Sequence, residues 1–247
     1  MRRSLLLLAL VALSCGPQRE RTVVLSNVPM YSVALDLCGE CDYHVIVRGG
    51  GHMHLYEPTP KDHAKALSGC AFLRVAKLDE WARGWKAITI HLEDPHFWLY
   101  RDGVLAVADS LDAALRRCQS DRYAPENLSN FKGTVDSLFS VRLEGEVCAS
   151  SILVSRFLSN YGIKVRCLLQ SNEFREPSAD EVRRFVSEAE RVGVVVRDTG
   201  DVLPPLPDGV KVITIRLHPA YGERYTDFLA RNLELVGTLR HEGTLRP

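Results

Sequence analysis

The residues of this 247-residue chain best suited to chemistry are its eight histidines, and three short segments give some of them a pattern. His52 and His54 lie in Gly49-Gly50-Gly51-His52-Met53-His54-Leu55-Tyr56, where the glycines permit tight turns. His96 lies in Asp94-Pro95-His96-Phe97-Trp98, and His218 in Leu217-His218-Pro219. Each segment follows a run with strand character, and loops leaving parallel strands are where α/β proteins place ligand-holding groups. Three imidazoles delivered by separate loops to one cleft suit a borderline cation such as zinc; an added carboxylate would suit manganese as well. The plain alternative is that proline beside histidine marks an ordinary turn and each ring is a satisfied surface or core group. His44, His63, His91 and His241 lack this context. His63 faces out of, or lies beside, a helix start, and His91 ends a strand where it could support a ligand from behind.

The familiar catalytic signatures are absent: no Gly-x-Ser-x-Gly, no His-Glu-x-x-His and no glycine-rich phosphate loop. Three histidines with an open fourth position could still make a zinc hydrolase, which would need a general base; Glu57, Glu93 and Asp94 are nearby in sequence. Lysine plus arginine equals aspartate plus glutamate, 31 each, so charge gives no reason to invoke nucleic acid or an anionic surface. With 46% apolar and 25% charged residues, the composition is that of a globular chain with a real core.

The start of the chain reads as a targeting segment. Arg2 and Arg3 precede an apolar run, Ser4 to Leu13, too short to span a bilayer and suited to a signal peptide. Ala12-Leu13-Ser14-Cys15 resembles a bacterial lipobox, which would place a lipid anchor on Cys15; the alternative is ordinary cleavage near Ser14 with Cys15 lost. Either way the expected location is extracytoplasmic, at the outer face of the cell membrane or in the periplasm. Six cysteines then remain, Cys38, Cys41, Cys70, Cys118, Cys148 and Cys167, an even number that permits disulfides in an exported chain. Their pairing cannot be read from sequence. Cys38-Gly39-Glu40-Cys41 fits a local disulfide, half a metal site or a redox pair, and a zinc ribbon would need a second such pair.

The elements that must position these residues alternate. Strand-like runs at Val23 to Ser26, Tyr43 to Val47, Phe72 to Val75 and Ala87 to Ile90 enclose a helix from Pro60 to Leu67, capped by Thr59 with Asp62 in a capping box. Val104 to Cys118 carries a helical stripe of Leu105, Ala108, Leu111 and Leu115, and Asn127 to Phe139 continues as either the same helix kinked or a second one. A second alternating set follows: strands near Glu146 to Ala149, Ile163 to Leu169, Val194 to Val196 and Val210 to Ile215, and helices at Ser151 to Tyr161, after Ser178 and at Tyr225 to Val236. The expected fold is therefore α/β, two Rossmann-like lobes with mostly parallel sheets. The expected boundaries are a signal peptide with lipobox at 1–15, an N-terminal lobe at 21–101, a linking helix region at 102–143 and a C-terminal lobe at 144–247.

Several ordered motifs carry a resemblance. His54-Leu55-Tyr56-Glu57-Pro58-Thr59-Pro60, Glu80-Trp81, Asp94-Pro95-His96-Phe97-Trp98-Leu99, Glu176-Pro177-Ser178-Ala179 and the stretch Tyr225 to Asn232 resemble hallmark segments of the zinc/manganese substrate-binding proteins of ABC importers, the cluster A-I family. They cover nearly all of the mature chain in the family's order. The resemblance implies two lobes joined by a linking helix, with a metal cleft between them and ligands from four loops. Carried over by position, His54 and His96 are the N-terminal ligands. The third position, usually histidine, falls on Ser151, with Cys148 one turn away as a possible thiolate substitute. The fourth, usually an acid before proline, falls on His218. His52-Met53 replaces the usual Asp-Pro and adds a further candidate ligand, His52. The resemblance implies a non-enzyme that captures Zn2+, with Mn2+ as the alternative, and delivers it to a permease and its ATPase. The rival readings are a metal-free member acting as an adhesin or scaffold, which Ser151 favours, and an extracytoplasmic zinc hydrolase.

Overall fold

The computed structural model describes residues 21–49, 55–172 and 175–241. His52 and His54, like the signal segment, lie outside the described residues. The chain forms two four-stranded sheets in which every described strand pair is parallel. The first contains β1 (Val23–Asn27), β2 (Tyr43–Val47), β3 (Ala71–Val75) and β4 (Ile88–Ile90) in the order β2-β1-β3-β4. The second contains β5 (Glu146–Ser151), β6 (Lys164–Gln170), β7 (Val194–Asp198) and β8 (Lys211–Ile215) in the order β6-β5-β7-β8. The two orders are the same, so the lobes share one topology. Parallel neighbours need crossovers, and the helices supply most of them.

These helices are α1 (Val28–Leu37), α2 (Pro60–Ser68), α3 (Arg101–Cys118), α4 (Glu126–Ser140), α5 (Ile152–Ser159), α6 (Ala179–Val192) and α7 (Tyr225–Gly237). The capping boxes at Thr59–Asp62 and Ser178–Glu181 form, and Gly193 closes α6 in the left-handed conformation that glycine adopts without penalty. The region between the lobes contains two helices, α3 and α4, separated by a turn at 119–125. None of the described helices is long and apolar enough to cross a membrane.

Helix α1 has no counterpart in the sequence reading. It starts on an Asn27 side chain that accepts from the Met30 amide at 3.0 Å, with Pro29 in its first turn. Val28, Pro29, Met30, Val33, Ala34 and Leu37 are all buried, so the helix is apolar around most of its girth and shows no one-sided stripe. It is buried because it packs against α3, α4 and α7 as well as β1 and β2.

Each sheet carries the same polar node. In the first, Arg74 on β3 donates to Thr89 Oγ1 on β4 at 3.2 Å and to the Asp79 carbonyl at 3.1 Å, while Asp79 Oδ2 accepts from Ser26 Oγ at 2.6 Å and the Val75 amide at 2.7 Å. In the second, Arg197 on β7 donates to Thr214 Oγ1 on β8 at 3.1 Å and to the Asp201 carbonyl at 3.3 Å, while Asp201 Oδ2 accepts from Ser150 Oγ and from the Asp198 amide at 3.2 Å. The node pins the C-terminal ends of β1 and β3, and again of β5 and β7, so the strand exits are rigid in both lobes.

The six cysteines pair as Cys38–Cys41, Cys70–Cys118 and Cys148–Cys167. Cys70–Cys118 fastens the start of β3 to the end of α3, and Cys148–Cys167 ties β5 to β6. One hydrophobic core runs from β1 through α3 and α4 to α7 and so includes residues of both lobes; a second, smaller cluster lies beneath α6 around Phe185 and Val195.

Candidate metal centre

His96 follows β4 and His218 follows β8, the same strand position in the two sheets. Between them stands Trp98, only 1% exposed. Its ring centroid is 5.3 Å from that of His96 and 5.1 Å from that of His218. Two histidines from opposite lobes therefore pack on one indole. Trp98 Nε1 donates to the Leu217 carbonyl at 2.8 Å, and the Trp98 carbonyl accepts from Tyr225 Oη at 2.9 Å. Leu217 is held from its other side as well, its amide donating to Asp198 Oδ1 at 2.9 Å. The backbone that presents His218 is thus gripped by a side chain from each lobe.

His96 has its own fixture. Asp94 Oδ1 accepts from the His96 amide at 2.8 Å and lies 3.0 Å from His96 Nδ1. An ionised carboxylate only accepts, so the ring carries its proton on Nδ1. With Nδ1 engaged, Nε2 is the nitrogen a cation would take, the arrangement usual for metal-binding histidine. Burial pushes the Asp94 carboxyl up, but the His96 amide and ring and the Arg156 charge outweigh it and hold the group below its ordinary range. The short turn Phe97–Leu99 that follows is pressed against α3. A Cβ at Gly103 would come within 2.8 Å of the Phe97 carbonyl oxygen, so only glycine allows this approach.

A cleft of about 550 Å³ that includes His218 in its lining opens between the lobes. Val28 and Arg48 line it from one lobe, and Asp198, Thr199, Arg216 and His218 from the other. Arg48 sits 5.5 Å from the centre of the Tyr221 ring, a cation–π contact across the lobes. Tyr31 packs on the same ring at 5.1 Å.

The loop expected to bring His54 is described from Leu55 onward. There Tyr56 donates to Asp62 Oδ2 at 2.8 Å, and its ring meets Trp81 at 5.3 Å, which in turn meets Trp85 at 5.5 Å. Trp81 thus joins Tyr56 and Trp85 in one aromatic cluster. His63 packs on Trp85 at 4.6 Å, and His91 is exposed.

Ser151 lies at the C-terminal end of β5, 7% exposed, at the cap position of α5, where its hydroxyl makes no capping hydrogen bond. The expectation for Cys148 is corrected: its sulfur is bonded to Cys167 and wholly buried, and a disulfide sulfur is not the thiolate that a metal requires. Among the described residues no group of three or more His, Cys, Asp or Glu side chains converges closely enough to hold a metal unaided. Sequence reasoning did not single out Trp98, Arg156, Leu217 or Tyr225 for their part here. They act through contacts made across the lobes, which no local pattern records.

No protein-family model matches the sequence, and no curated protein matches it. Solved structures match its fold. The SBP FpvC from Pseudomonas aeruginosa, solved in complex with Mn2+, superposes with a TM-score of 0.69 at 15% identity, over 92% of this chain and 100% of that one. The metal-dependent lipoprotein YcdH from Bacillus subtilis gives a TM-score of 0.68 at 17% identity, over 88% and 98%. A periplasmic metal binding protein from Candidatus Liberibacter asiaticus gives 0.63 at 12% identity, over 88% and 98%. At these identities the likeness establishes the fold: two α/β lobes arranged as in metal-binding substrate-binding proteins.

Proposed function

We propose that this chain is a divergent member of the zinc/manganese substrate-binding proteins of ABC importers. In this reading it captures a divalent cation between its lobes, zinc in preference to manganese, and passes it to a permease and its ATPase. Residues 21–101 and 144–247 act as the lobes, with 102–143 between them, and Cys15 carries a lipid that holds the protein outside the cell membrane. The observation that carries the reading is the placement of His96 and His218, from opposite lobes, on the single indole of Trp98. His54, carried over from the resemblance, is the third imidazole; His52 and Ser151 are further candidate ligands. The preference for zinc rests on the chemistry of neutral imidazoles, which suit that ion. No catalytic role is proposed.

The shared core also supports a capture protein that moves little. Trp98, Tyr225 and Leu217 bind the lobes to each other, and Asn160 Nδ2 donates to the Leu99 carbonyl across the same seam at 2.7 Å. Domain interfaces that are large and apolar resist relative motion.

Elemental analysis of the purified protein, with zinc and manganese calorimetry of the wild type and of His54→Ala, His96→Ala and His218→Ala, tests the reading. Each substitution is expected to weaken zinc by more than the roughly 10–100-fold that loss of an outer partner costs. Zinc affinity should also fall as the solution is made more acidic, because protons compete with the cation for the imidazole nitrogens. Protein that carries no metal and binds none in solution would overturn it and favour the scaffold reading that Ser151 suggests.

A further inference from the structure

Asp94 divides its two oxygens between the lobes. Oδ1 serves His96, within its own lobe. Oδ2 lies 3.1 Å from Arg156 Nη1, and Arg156 stands on α5, which packs on β5, β6 and β7 of the other lobe. Because the two oxygens have separate tasks, the ion pair does not compete with the histidine contact; it fixes the plane of the carboxylate that holds the ring.

From this geometry we infer that Arg156 is a positioning residue: by anchoring Asp94 from the opposite lobe, it makes the orientation and tautomer of His96 depend on the lobes being together. With the lobes apart, Asp94 keeps its sequence-local contact to the His96 amide but loses the second anchor, and its carboxylate is free to turn. The ring then loses the acceptor that holds its proton on Nδ1, and both tautomers become populated. Through this chain of contacts, separating the lobes weakens the presentation of Nε2 before any ligand loop has unfolded. The inference rests on the metal-capture reading for its consequence, and the state of the ring can be measured without any metal.

The test uses the 15N-labelled full-length protein free of metal. Long-range 1H–15N spectra report which histidine nitrogen carries the proton, and His96→Ala assigns the signals. The wild type is expected to show a single Nδ1–H tautomer for His96. Arg156→Ala and Arg156→Gln should show mixed tautomers, and Arg156→Lys, which restores the charge without the planar fork, should recover most of the wild-type signal. Zinc calorimetry on the same samples should show affinity lower by roughly 10–100-fold in Arg156→Ala and Arg156→Gln, with partial rescue by lysine. Circular dichroism checks that each variant is folded; the glutamine variant serves if alanine fails. An unchanged Nδ1–H tautomer in a folded Arg156→Ala or Arg156→Gln protein would overturn the inference. Tautomer mixing in a protein whose wild type binds no zinc would leave the positioning role standing and sink the capture reading instead.

Discussion

Replacing Trp98 by phenylalanine keeps an aromatic ring between His96 and His218 but removes the indole N–H and part of the ring volume. The Leu217 carbonyl, now 2.8 Å from Nε1, would be left without that donor in a buried setting. An orphaned buried acceptor costs about 1–3 kcal/mol. The space vacated by the larger ring adds a cavity term, about 1 kcal/mol for a few tens of cubic ångströms at ~24 cal/mol per Å³. The sum is about 2–4 kcal/mol, and a domain of this size loses roughly 2–4 °C per kcal/mol, so the melting temperature should fall by roughly 5–15 °C. Thermal unfolding of metal-free protein followed by circular dichroism reads the stability. Zinc calorimetry reads the site, where the weakening should resemble loss of an outer partner, about 10–100-fold. A melting temperature within about 2 °C of wild type, together with unaltered zinc binding, would refute the view that this indole gauges the spacing of the two histidines.

Two further outcomes follow from the fold. In the chain-entropy account, the stabilisation from a disulfide grows with the loop it closes, so removal of each pair as double alanine variants should rank by separation. Cys70–Cys118 spans 48 residues, Cys148–Cys167 spans 19 and Cys38–Cys41 spans 3, giving losses of about 4, 3 and 1.6 kcal/mol in denaturant unfolding; the reverse order would contradict this assignment of their weight. Burial raises the Asp79 carboxyl to about 6, against the opposing hydrogen bonds from Ser26, Val75 and Asn27. The folded state therefore binds the Asp79 proton more tightly than the unfolded chain, and this contribution is complete below pH about 4 and is lost as pH rises to about 6, by about 3 kcal/mol. Asp79→Asn lacks this loss, so its stability relative to wild type should improve over that interval and then level off; a pH-independent difference would show that Asp79 is not the group responsible. Asp94, Asp62 and Asp112, held below the ordinary range, act with the opposite sign and lose their contribution as pH falls through their depressed range, which is why the difference between variant and wild type is the quantity to follow.

Much of the fold is legible because its signals are local. Apolar runs that alternate with helical patterns give all eight of the described strands, and Thr59–Asp62, Ser178–Glu181 and Gly193 mark helix ends through contacts with neighbours a few residues away. Helix α1 escapes because burial on several sides erases the periodic contrast that identifies a surface helix; the Asn27 cap and Pro29 were the only cues. His96 and His218 are findable as strand-exit residues beside proline, whereas Trp98 and Arg156 look like ordinary core and surface side chains until the lobes meet. Cysteine pairing is opaque for the same reason, and it decides that Cys148 is a structural residue.

The last helix of the chain reaches back to the first. Thr226, at the start of α7, donates its amide and hydroxyl to the Asp36 carboxylate on α1 at 2.9 and 2.8 Å, and Tyr225 closes on Trp98. Partners 190 residues apart can meet only after nearly the whole polypeptide has been made. Contacts of such sequence separation are entropically costly to reach and slow to form. The seam that gathers the two histidines is therefore completed late, and a chain cut short before residue 225 would arrive with both sheets encoded but without the clasp of α7 on α1 and Trp98.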